Sequence, residues 1–213
     1  MQNFLKETPF LDYSSSQIQN YISEFIALPS KKEKAIALYY KVRDGFLYDP
    51  YHLNLTQEGL TSSTILTKKR AWCVEKSIVM ASCARALGIP TKLGYAIVKN
   101  HIGVEKLTHY LKKPEIVFHG YLELFINDKW VKCTPTFDQR VCRISKVTPL
   151  DWNAEEDSMF QEFEKDKRFM EYTHFYGSFE DVPLQLMNEE MKIHYPHLFE
   201  EVFNSKAFSF FHL

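Results

Sequence analysis

The chain has 213 residues, of which 45% are hydrophobic and 25% are charged, a composition typical of one well-cored globular domain. Its 26 basic and 27 acidic residues leave a net charge of -1, so the basic excess that nucleic-acid binding requires is missing. No run of about 18 apolar residues offers a membrane span, and the N-terminus lacks the pattern of a signal peptide. We expect neither a nucleic-acid nor a membrane partner.

Two helices are predicted near the N-terminus, over residues 14–28 and about 31–44, because their apolar residues recur at helical spacing. Residues 46–70 mix turn residues with short apolar runs and predict an ordered loop. A third helix is predicted from Cys73 to Leu87, and many of its residues are Ala, Ser or Cys. Such small side chains indicate a helix that packs tightly inside the protein.

Three strands are predicted next, over residues 91–99, 116–126 and 129–137. Asn127 and Asp128 separate the last two as a two-residue hairpin turn, which places Ile126 opposite Lys129. By period-2 alternation, one face of the hairpin then carries a polar set and Cys133 points to the other face. The polar set is His119, Tyr121, Glu123, Thr134 and Thr136.

The chain from residue 150 onward is amphipathic with acidic stretches, and we interpret it as helical. Its aromatic end, residues 206–213, is expected to pack on the body of the protein. The predicted fold class is therefore α+β, with N-terminal helices and a central Cys-bearing helix packed on an antiparallel sheet. We expect a single domain over residues 1–213, with a C-terminal helical extension over 141–213.

The four cysteines, Cys73, Cys83, Cys133 and Cys142, include no C-x2-C pair, which argues against structural zinc. Without a leader pattern, they indicate reduced thiols in a cytoplasmic protein. The histidines show no paired metal-binding spacing, and no glycine-rich phosphate loop is present. The sequence therefore predicts neither a metal site nor a cofactor.

Cys73 is the candidate nucleophile because it begins a helix, where free N–H groups and the helix dipole favour a thiolate. A cysteine nucleophile needs a nearby base, and His119 at the start of a strand is the best candidate. The imidazole also needs a polar group that orients it. Thr134, on the predicted face of His119, and Asp138, just past the strand, are the two candidates. Trp72 is a further candidate through its indole N–H.

Two segments resemble the transglutaminase-like superfamily of papain-like cysteine proteins. WCVEKSIVMASCARALGIPTKLGYA, residues 72–96, is similar to the segment in which a Cys opens a helix that ends in a Leu-Gly-Ile-Pro-like turn. FHGYLELFINDKWVKCTPTFD, residues 118–138, resembles the block in which a His opens a strand and Trp-Val leads to Asp-Pro-Thr. The resemblance covers roughly residues 30–140 and looks like the bacterial-type domain.

The resemblance implies a papain-like fold and a thioester acyl-enzyme formed on Cys73 from a peptide or carboxamide bond, followed by hydrolysis or by transfer to an amine. The expected catalytic residues are Cys73, His119 and Asp138, with Trp72 and Thr134 as accessory residues and a protein or peptide as substrate. The chain departs from the family at Thr134, where the family usually has Asp. The alternative is thus a catalytically impaired binding or scaffold module of the same fold.

Overall fold

The computed structural model describes residues 1–101, 105–159, 162–163, 167–168 and 170–203. The prediction for the aromatic end, residues 206–213, lies outside these residues. Within the described ranges, eight α-helices run in chain order: α1 (Ser16–Ile22), α2 (Lys31–Gly45), α3 (Ser62–Ile65), α4 (Cys73–Ala86), α5 (Glu105–Leu111), α6 (Gln139–Ile144), α7 (Leu184–His194) and α8 (Pro196–Phe203). The strands in this part of the chain are β1 (Leu47–Tyr48), β2 (Arg70–Ala71), β3 (Thr91–Asn100), β4 (Glu115–Ile126), β5 (Lys129–Cys133), β6 (Glu162–Phe163), β7 (Lys167–Arg168) and β8 (Met170–Phe179).

The N-terminal helices follow the predicted positions with shorter bounds. The first predicted helix is α1 followed by a 3-10 turn over Ser23–Phe25. Helix α2 begins with a capping box, in which Ser30 accepts from the Glu33 N–H and Glu33 accepts from the Ser30 N–H, and this satisfies two orphan donors. The predicted loop over 46–70 also contains β1 and the short helix α3.

Helix α4 is the central element, and every residue from Cys73 to Arg85 is buried. Its small side chains let neighbouring elements approach on all sides, which confirms the prediction of a tightly packed inner helix. The two buried charges near its start are satisfied locally. Lys76 Nζ donates to the Arg43 carbonyl at 2.8 Å, and Lys68 pairs with Glu75.

The main sheet is antiparallel, with strand order β5-β4-β3-β8. The hairpin register is confirmed, because Ile126 pairs with Lys129 and the pairing continues to Leu122 with Cys133. Asn127 and Asp128 both have positive φ, 49° and 61°, as the primed two-residue turn requires. Strand β5 ends at Cys133 instead of reaching residue 137.

A β-bulge interrupts β4 just before His119. The register with β3 shifts between Ala96 and Val98, and Phe118 adopts a φ of 59°. The Phe118 ring stacks on Tyr176 of β8, with centroids 4.5 Å apart and planes at 21°. The bulge therefore depends on packing from the C-terminal part of the chain.

The prediction that the chain is helical after residue 150 is wrong for β8, a ten-residue strand on the edge of the sheet. Helices α6, α7 and α8 supply the helical part. Cys142 is buried in α6. None of the helices within the described ranges is long and apolar enough to cross a membrane. The α+β class with an inner Cys-bearing helix on an antiparallel sheet is confirmed.

Candidate active site

Cys73 is the first residue of α4, and its side chain is 1% exposed. Burial raises the pKa of the thiol to about 11. The backbone N–H groups of Gly120, Val74 and Cys73 donate toward the sulfur and lower the pKa, but the effect of burial is larger. The expected low pKa is thus not found, because helix-terminal N–H groups act on a sulfur that has lost its water. The thiol is neutral at pH 7 in this closed state.

Gly120 brings β4 against the first turn of α4. A Cβ at this position would lie 3.0 Å from Val74 Cα, 3.0 Å from Ser77 Oγ and 3.2 Å from the Cys73 carbonyl oxygen. Only glycine allows this approach without a shift of backbone atoms. No sequence motif pointed to Gly120, whose one signal is a residue without a side chain directly after the candidate base.

His119 lies next to Gly120 on β4 and is 1% exposed. Burial lowers the pKa of its imidazole to about 3, so the ring is neutral at pH 7 and its protonated form is disfavoured. The Nε2 atom of His119 lies 3.4 Å from Thr134 Oγ1. The Nδ1 atom of the same ring has no hydrogen-bond partner among the described residues. The Tyr172 ring packs edge-on against the imidazole, with centroids 5.6 Å apart.

Thr134 lies beside His119, at the position where the resemblance to the family leads us to expect an acid. Its hydroxyl lies 2.7 Å from Thr136 Oγ1 and 3.3 Å from the Gly120 carbonyl oxygen. A threonine hydroxyl can orient Nε2 through this network. It carries no charge, so it cannot stabilise an imidazolium as a carboxylate does.

Asp138 does not take the predicted orienting position. Its carboxylate caps α6 by accepting from the N–H groups of Arg140 at 2.9 Å and Val141 at 3.1 Å, and it also accepts from the Tyr48 N–H at 2.6 Å. Three backbone donors thus occupy its two oxygens. The contact to His119 Nε2 comes from Thr134, four residues earlier.

Trp72 lies beside Cys73 in a small cavity. Its backbone N–H donates to Glu75 Oε2 at 3.2 Å, which fixes the start of α4. Its indole Nε1–H is buried and has no partner among the described residues. A buried unpaired donor is costly, and Trp72 is one of the residues that line the cavity at Cys73.

The cavity at Cys73 has a volume of about 20 Å³, which is room for about one water molecule. A separate cavity of about 10 Å³ lies on the His119 and Thr134 side. The Cys73 cavity is also lined by Leu107 and Leu111 of α5, by Met191 of α7, and by Tyr195, which follows α7. Within the described ranges, no three His, Cys, Asp or Glu side chains are grouped so that they could hold a metal ion.

The chain is similar to one known protein family and to a solved structure. The family model described as "Transglutaminase-like superfamily" matches residues 19–135, a range that contains Cys73, His119 and Thr134. Among solved structures, the chain is similar to a "putative cysteine protease" from Cytophaga hutchinsonii at 17% identity and a TM-score of 0.48. That similarity covers 62% of this chain and 40% of the other protein. No curated protein matches the chain.

Proposed function

Since the chain belongs to the transglutaminase-like superfamily, we propose that it is a cysteine-dependent enzyme that hydrolyses a peptide or carboxamide bond, or transfers its acyl group, through a thioester on Cys73. The observation that carries the proposal is the placement of Gly120. Its N–H donates toward the Cys73 sulfur, and the imidazole of the preceding residue, His119, has an unpartnered Nδ1 among the described residues.

In this proposal His119 Nδ1 takes the thiol proton as the sulfur attacks the acyl carbon. The carbonyl oxygen becomes an oxyanion, for which the Trp72 indole N–H and the Cys73 backbone N–H are the candidate donors. The imidazolium then gives its proton to the leaving amine, and the C–N bond breaks to leave the thioester. Water completes hydrolysis with His119 as base, or a second amine takes the acyl group.

Thr134 has the role of positioning the imidazole. When Nδ1 takes the proton, Nε2–H donates to Thr134 Oγ1, and the Thr134 hydroxyl donates in turn to the Gly120 carbonyl. We expect slow turnover, because loss of an orienting acid costs on the order of 10⁴ in a serine triad. Hydrolysis is favoured over transfer, since water outcompetes an amine unless the site excludes it.

The test is acylation by p-nitrophenyl acetate, followed as nitrophenol release and as an acetyl mass on the Cys73 peptide. We expect Cys73→Ala to abolish the acetylated peptide and His119→Ala to slow its formation by roughly 100-fold or more. Cys83→Ala is the matched control, because Cys83 is buried on the same helix. Acetylation that is unchanged in His119→Ala would contradict the proposal. If Cys73 does acetylate in a His119-dependent manner, glutamine peptides would distinguish cleavage of the peptide bond from release of ammonia.

The second candidate function is a non-catalytic binding module of the same fold. The observations that favour it are the uncharged Thr134 at the acid position and the pKa of Cys73, which burial raises to about 11. Failure of Cys73 to acylate in a folded protein would support this candidate.

A further inference from the structure

The C-terminal helices α7 and α8 lie against the cavity at Cys73. We rest the following inference on the proposed function, in which a substrate must reach this cavity. Helices α7 and α8 are joined at Tyr195, and both Met191 and Tyr195 line the cavity together with Cys73. At about 20 Å³, the cavity admits no acyl group of a peptide. The site is therefore closed in this structure.

Tyr195 closes the site through the backbone of β4. Its hydroxyl donates to the Glu115 carbonyl at 2.7 Å and accepts from the Val117 N–H at 2.9 Å. Residues two apart in a strand direct these groups to the same edge. One side-chain hydroxyl thus satisfies a C=O and an N–H that a neighbouring strand would otherwise pair.

This edge of β4 has no other strand beside it in the described part of the chain. Strand β5 pairs with β4 only from Leu122 to Ile126, and β3 pairs along the opposite edge. Val117 lines the same cavity as Cys73. A chain that replaced Tyr195 on this edge would therefore lie beside the sulfur.

We propose that the Glu115–Val117 edge of β4 docks the backbone of an extended peptide substrate, and that Tyr195 occupies this edge until the C-terminal helices move away. Addition of an extended peptide to an exposed strand edge supplies main-chain hydrogen bonds without a need for particular side chains. The substrate class that this edge fits is accordingly an extended polypeptide segment, not a small amide.

The closed arrangement is the ground state, because the C-terminal helices bury apolar side chains against the body. Met187, Met191 and Tyr195 are each 3% exposed or less. Polar contacts add to this packing: Tyr176 donates to Glu190 at 2.7 Å, Asn188 donates to the Leu55 carbonyl at 3.4 Å, and His197 Nε2 lies 3.0 Å from the Tyr110 carbonyl oxygen. Opening thus exposes these apolar side chains to water and breaks the hydrogen bonds of Tyr195 and His197.

The test compares the full-length protein with Tyr195→Phe, and uses Tyr13→Phe as the matched control. Tyr13 donates one hydrogen bond to the Leu5 carbonyl at 3.2 Å and is not among the residues lining the Cys73 cavity. The readout is the rate of iodoacetamide alkylation at Cys73, measured by peptide mass spectrometry. Since the variant leaves two β4 groups unsatisfied in the closed state, we expect alkylation to rise on the order of tenfold, with no change in Tyr13→Phe.

The second arm adds a capped hexapeptide of five alanines and one central glutamine. We expect it to slow alkylation of Cys73 in Tyr195→Phe. We also expect it to slow hydrogen exchange at the Val117 amide. An alkylation rate equal to that of the wild type, or a Val117 amide that the peptide leaves unprotected, would overturn the proposal. If Tyr195→Phe fails to fold, Met191→Ala replaces it with the same expected direction.

The two proposals fail separately in this design. Alkylation and amide protection need no turnover, so they test the docking edge even if Cys73 forms no thioester. Peptide protection without any acylation would contradict the enzyme and support the docking edge. Acylation of Cys73 together with an alkylation rate that Tyr195→Phe leaves unchanged would support the enzyme and contradict the docking edge.

Discussion

The substitution Thr134→Asp tests whether the position beside His119 has the role of an acid. Thr134 Oγ1 lies 3.4 Å from His119 Nε2, and its neighbours Thr136 and Gly120 already form a polar pocket around it. A carboxylate there would face the imidazole directly. We expect it to favour the imidazolium and so to raise the pKa of His119.

The magnitude follows from the distance and the burial. At 3.4 Å, a full negative charge stabilises the imidazolium by roughly 5 kcal/mol at an effective dielectric constant of 20, or about 3.5 pKa units. The pKa of His119 would rise from about 3 to roughly 6.5. The thiolate–imidazolium pair would then gain about three powers of ten over the neutral pair. Because the new carboxylate is itself desolvated, we expect a measured gain on the order of 10- to 1000-fold.

The assay combines NMR titration of the His119 ring with the rate of Cys73 acetylation by p-nitrophenyl acetate. Thr134→Asn is the matched control, because it offers a hydrogen-bonding group without the charge. We expect the carboxylate variant to exceed the amide variant in both the pKa of His119 and the acetylation rate. If the two folded variants give the same values, the reasoning that the charge at this position controls the imidazole is refuted.

Three further predictions concern stability. Gly120→Ala should lower the free energy of unfolding by roughly 1–3 kcal/mol through overpacking against α4. The control Gly45→Ala should lower it by less, because a Cβ there would meet only Tyr21 Oη at 3.4 Å. Equal urea midpoints for the two variants would count against the close approach at Gly120. Asp138→Ala should lower the free energy of unfolding by about 1–2 kcal/mol, because α6 loses its N-terminal cap. The pKa of His119 should stay the same. A shift of that pKa in an NMR titration would indicate that Asp138 orients the imidazole after all. Because burial holds the pKa of His119 at about 3, below its unfolded value of about 6.5, the unfolded state binds the extra proton. Unfolding free energy should therefore fall by up to about 1.4 kcal/mol per pH unit as the pH drops from 6.5 towards 3; urea titrations of His119→Gln should show a shallower slope, and an unchanged slope would assign the effect to other groups.

Local signals predicted the hairpin, and a long-range signal was needed for β8. The Asn127-Asp128 turn sets the register of β4 and β5 from a few adjacent residues. Strand β8 pairs with β3 about 75 residues away in sequence, and two register shifts break its alternation. Amphipathic flanks without strict alternation resemble a helix, so the prediction for this segment was wrong.

The site was predicted as a set of residues but not as an environment. Motif spacing identified Cys73, His119 and Thr134, which the fold brings to the region around Gly120. The burial that raises the pKa of Cys73 depends partly on Met191 and Tyr195, and no local pattern near Cys73 contains that information. The role of Asp138 depends on where α6 begins, and the sequence placed no helix there.

The left-handed conformation of Phe118 limits how far the chain can be truncated without loss of the site. That conformation costs about 1–2 kcal/mol at a residue other than glycine, and stacking on Tyr176 offsets part of it. Tyr176 belongs to β8, beyond the residues 19–135 that the family model matches. A polypeptide ending at residue 135 would retain Cys73, His119 and Thr134 yet lose the ring that holds the kink before the imidazole. We expect such a fragment to carry the motif without its geometry.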